Sequence, residues 1–95
     1  MLTALILAAA AVAVIVALLS LTVVKKWFRS KTQISNKAEV NIILKQRLET
    51  GEYKTIAGVF DTATEDIVEV NAWVSQSIDH ELESLDRASI IRDLD

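Results

Sequence analysis

Apolar residues run without interruption by charge from Met1 to Val24, broken in polarity only by Thr3, Ser20 and Thr22. Read as a helix, Leu2–Val24 is about 34 Å long, enough to cross a hydrocarbon core of about 30 Å. Lys25, Lys26, Arg29 and Lys31 follow at once, with Trp27 and Phe28 among them. Basic residues beside interfacial aromatics are the pattern of a membrane boundary. The first 24 residues are therefore expected to form a transmembrane helix, and residues 25–31 an interfacial collar. Ala9, Ala13 and Ala17 recur every four residues, a small-residue stripe suited to close packing of such helices.

Residues 32–95 change character and predict a small acidic α+β domain built as helix, β-hairpin and helix. Ser35 or Asn36 is placed to cap a helix reaching Thr50, with Val40, Ile43, Leu44 and Leu48 on one face and Gly51 as its C′ residue. Residues 53–60 and 67–75 are rich in strand formers, and the turn residues of Asp61–Asp66 separate them. Asp61 can accept from backbone N–H groups two or three residues on. Glu65 occupies the turn position where glycine is preferred. One face of this hairpin carries Ile56, Phe60, Val68, Val70, Ala72 and Val74 and is expected to pack on the first helix. The other carries Tyr53, Val59, Ile67 and Trp73 among Thr55, Glu69 and Asn71. A two-stranded sheet with a second apolar face needs a cover, either the last helix or a partner, and these four residues are the expected partner-binding surface. Ser77 or Asp79 can cap a last helix with Ile78, Leu82 and Leu85 on one side. Ile90, Ile91 and Leu94 then form either a short strand or a tail.

The charge balance sharpens this division. Residues 32–95 hold six basic and all 13 acidic residues, −7 beside the +4 of the collar and −3 for the chain. An acidic domain is a poor nucleic-acid binder. The positive-inside bias places the short N-terminus outside and residues 32–95 in the cytoplasm, a single-pass N-out, C-in topology. A secretory signal would carry basic residues before the apolar run rather than after it. A type IV pilin helix would carry a glutamate near its start, whereas the first acidic residue here is Glu39.

Candidate chemistry is sparse. The absence of cysteine excludes a disulfide framework and a thiolate metal site. His80 stands between Asp79 and Glu81, but adjacent residues point to different sides of a helix and do not converge on one ion. Asp61, Glu65 and Asp66 lack EF-hand spacing, and there is no phosphate-cradling glycine loop. The expectation is a non-enzymatic protein without cofactor or metal, a membrane tether or accessory subunit whose partners are the lipid bilayer and another protein. The alternatives are a homo-oligomerising membrane scaffold, a membrane-acting protein of holin or toxin type, and a secreted protein after signal cleavage.

Overall fold

Val14, Ile15 and Val16 are β-branched, and β-branched side chains fit a pleated sheet better than a helix. In the computed structural model, which describes residues 13–31, 38–92 and 94, they open strand β1, Val14–Leu19. The chain then forms helix α1 (Leu21–Lys31), β2 (Glu39–Arg47), β3 (Tyr53–Asp61), β4 (Asp66–Ile78), the single turn α2 (His80–Glu83) and β5 (Ala88–Ile91). The five strands make one sheet in the order β1-β4-β3-β2-β5. β1 runs parallel to β4, and the other pairs are antiparallel.

This overturns the expected transmembrane helix, whose first half, residues 1–12, lies outside the described residues. No helix among the described residues is long and apolar enough to cross a membrane, so the single-pass, N-out, C-in topology falls with it. A continuous apolar run carries no periodicity by which to tell a helix from a strand. Ser20 divides the run: its Oγ accepts from Val23 N at 3.2 Å, and Asp79 Oδ1 accepts from Leu21 N at 3.2 Å. Two helix-start N–H groups that have no partner within a helix are thereby satisfied. Leu21, Val24 and Phe28 then fall on one face of α1 and are buried.

The expected helix up to Thr50 is also corrected, since its centre is strand β2. Val40, Ile43, Leu44 and Leu48 fit a helical stripe, but Val-Asn-Ile-Ile-Leu equally suits an inner strand with both faces covered. β2 lies between β3 and β5 and is paired on both sides. Gly51 serves the β2–β3 turn instead of a helix end. It takes φ +91°, donates to Leu48 O at 2.9 Å, and Leu48 N donates to Glu52 O at 2.8 Å. The last helix shrinks to α2, capped by Asp79 through Leu82 N at 2.9 Å. The architecture is therefore mostly β, not the α+β arrangement of helix, hairpin and helix.

β3 and β4 pair as a hairpin, from Tyr53 opposite Ser75 to Asp61 opposite Asp66. In its turn Asp61 Oδ1 accepts from Ala63 N at 2.9 Å and Thr64 N at 3.3 Å, and Glu65 takes φ 61°. An irregularity between Val59 and Phe60 shifts the register: Val59 faces Glu69, but Phe60 faces Ile67. Ile67 is thereby turned to the face of Phe60, away from that of Trp73.

Each sheet face holds one apolar cluster. On the first, Ile43, Ala57, Val59 and Trp73 pack with Leu21, Val24 and Phe28 of α1, Leu19 of β1 and Leu82 of α2. The second gathers Ile42, Leu44, Ile56 and Ala72, with Val40, Phe60, Ile67 and Val70 beside them. Thr55 and Ser75 are buried in the sheet, and neither hydroxyl has a hydrogen-bond partner among the described residues.

Candidate interaction surface

The residues of the expected membrane collar lie on α1 and separate by helical position. Phe28 is fully buried, and half-buried Trp27 stacks edge-on against Phe28 and Trp73, with ring centroids 5.3 and 6.1 Å apart. Lys26, Arg29 and Lys31 point to the exposed side, while Lys25 is half-buried. Arg29 and Lys31 occupy the last turn, where cations complement the helix dipole. The collar is thus one amphipathic helix with a basic outer face, its aromatics turned into the protein.

The small-residue stripe does not form a helix face. Ala13 precedes β1, Ala17 lies within it, both are exposed, and Ala9 falls outside the described residues. The expected partner-binding quartet is also dispersed. Val59 is fully buried, and Trp73 is only 5% exposed. Tyr53 is half-buried beneath the Arg47 guanidinium, 5.3 Å from the ring centroid. Ile67 belongs to the other face. The physical reason is the cover: α1 lies on the Trp73 face, and that helix had been assigned to a membrane.

The surface that the structure does assemble is elsewhere. Val14, Ile15, Leu18 and Val23 are 46%, 81%, 58% and 46% exposed, four large apolar side chains on β1 and the first turn of α1. β1 is an edge strand, paired with β4 and with no other described strand. Its six residues contain no charge and no proline. Natural edge strands are usually guarded by such residues or kept very short, because unpaired N–H and C=O groups recruit other strands. The opposite edge shows that protection: β5 has four residues and is flanked by Arg87 and Arg92. The exposed basic residues Lys26, Arg29 and Lys31 follow β1 directly in the chain.

Among the described residues, no acidic or histidine side chains group into a metal-binding set. His80 is exposed at the start of α2. Burial lowers the pKa of Lys45, and the charges of Asp86 and Glu83 oppose that. Its Nζ donates to the carbonyls of Leu82 at 2.9 Å, Glu83 at 3.0 Å and Leu85. All three ammonium donors are thereby used to hold the end of α2 against β2.

Compared with protein-family models, curated proteins and solved structures, the chain matches none.

Proposed function

We propose that this protein is a non-enzymatic interaction module, an accessory or assembly subunit that binds a partner protein by strand addition along β1. The reading rests on the edge itself: six uncharged residues, outermost in the sheet, with Ile15 and Leu18 largely exposed. In strand addition, main-chain hydrogen bonds supply affinity and alternate side chains supply selectivity. The basic outer face of α1 favours an acidic flank on that partner and speeds encounter with it.

A second reading is assembly with another copy of the chain. An uncharged edge strand is compatible with itself across a two-fold axis, where each copy presents the same residues to the other. One experiment serves both readings. Wild type, Ile15→Lys and Leu18→Lys are each tagged as full chains, passed through size-exclusion chromatography with light scattering, and used to co-purify partners. Both substitutions add an edge charge without removing core, so circular dichroism is expected to stay unchanged. Loss of partner or of higher mass in both variants supports the proposal. Wild type that is monomeric and retains nothing, or variants that associate as wild type does, would overturn it.

A further inference from the structure

Where β2 outruns β5, the structure forms a groove of about 560 Å³. Its floor is apolar: Leu44 of β2, Ile56 of β3 and Ala88 of β5. Its rim carries Arg47, Lys54 and Arg87, with no carboxylate among the lining residues, although the chain holds more acidic than basic groups. Two of these cations stand apart from the internal bonding. Lys45, which also lines the groove, is occupied by the carbonyls of Leu82 and Glu83 in α2, and Arg47 lies over Tyr53. Neither the Lys54 ammonium nor the Arg87 guanidinium has an ion-pair or hydrogen-bond partner among the described residues.

An apolar floor beneath unpaired cations is the arrangement that binds an anionic head on an apolar body. Ligand sites commonly enclose about 300–1,000 Å³, mostly apolar, with a few polar groups that fix orientation. The guanidinium of Arg87 offers a planar fork suited to carboxylate or phosphate, and Lys54 a compact point charge. We infer that this groove binds a free, single-chain anionic amphiphile, a fatty-acid-like carboxylate whose head lies between Lys54 and Arg87 and whose chain lies on Leu44, Ile56 and Ala88. The site lies at the opposite edge of the sheet from β1, so it stands or falls independently of strand addition.

The probe is dodecanoate below its micellar concentration, titrated into the full chain by calorimetry and by amide chemical shifts. The expected result is saturable binding, with shifts centred on Leu44, Ile56 and Ala88. Dodecanol, which lacks the charge, and acetate, which lacks the chain, should each bind at least about tenfold more weakly, because each forfeits one half of the recognition. Lys54→Gln and Arg87→Gln should each weaken dodecanoate binding about tenfold, the scale of one charge-assisted hydrogen bond. Ala88→Leu, which fills the floor and keeps every charge, should weaken it as well. Phosphatidylglycerol vesicles separate a free amphiphile from a membrane surface. Binding to vesicles but not to dodecanoate would overturn the inference. So would equal affinity for dodecanol, shifts centred elsewhere, or folded Lys54→Gln, Arg87→Gln and Ala88→Leu variants that bind as wild type does.

Discussion

Phe28→Ala tests the fold where sequence pattern and structure diverge most. A membrane collar would leave this side chain among lipid headgroups, outside the domain's own stability. In the structure Phe28 is fully buried, packed with Val24, Ile43, Ala57, Val59, Trp73 and Leu82 in one cluster. Truncating a phenylalanine in such a core costs about 3–5 kcal/mol, the sum of lost transfer energy and the cavity left behind. Small domains hold about 5–15 kcal/mol in total, so the loss is a third or more of the stability at the middle of that range. At about 4–8 °C per kcal/mol for a chain of this size, Tm should fall by roughly 12–40 °C. Urea unfolding of the full chain, followed by tryptophan emission, reads the change directly, since Trp27 stacks on the deleted ring and Trp73 shares its core cluster. Lys26→Ala on the exposed side of the same helix is the control and should stay within about 0.5 kcal/mol of wild type. If the two variants prove equally stable, α1 does not pack on the sheet and the assignment of the Trp73 face to the core is wrong.

Asp79→Ala should cost about 2 kcal/mol by thermal unfolding, because one carboxylate oxygen accepts from both Leu21 N and Leu82 N and so holds the starts of α1 and α2 together. A cost confined to a few tenths would show that neither start depends on it. Glu65→Gly should stabilise the β3–β4 hairpin by up to about 1 kcal/mol, since Glu65 sits at φ 61° where glycine carries no steric penalty. A loss of stability, read as a lower urea midpoint, would show that the glutamate side chain contributes more than its backbone conformation costs.

Local chemistry in this chain was legible wherever neighbouring residues settle the outcome among themselves. Asp61 and Glu65 define the hairpin turn because an Asx bond and a left-handed φ are decided within four residues. Asp79 declares a helix start, and Gly51 a left-handed position, although the turn it serves joins two strands rather than ending a helix. Patterns with more than one long-range solution were decided by tertiary structure. The apolar run from Val14 onward satisfies a membrane helix, a buried helix or a strand equally well, and pairing with β4 selects the strand for Val14–Leu19. β2 fits a helical stripe until β3 and β5 supply hydrogen bonds on both its sides. The candidate surface followed the same rule. Tyr53, Val59, Ile67 and Trp73 share one side of an ideal hairpin, but an irregularity beside Phe60 turns Ile67 away, and α1, arriving from far along the chain, covers Val59 and Trp73. Sequence by itself determined the β3–β4 turn, the Asp79 cap and the sharp division of charge at Val24. Only the fold decided which apolar residues were left outside, because exposure depends on what packs across a face, and the packing element lies beyond the reach of local periodicity.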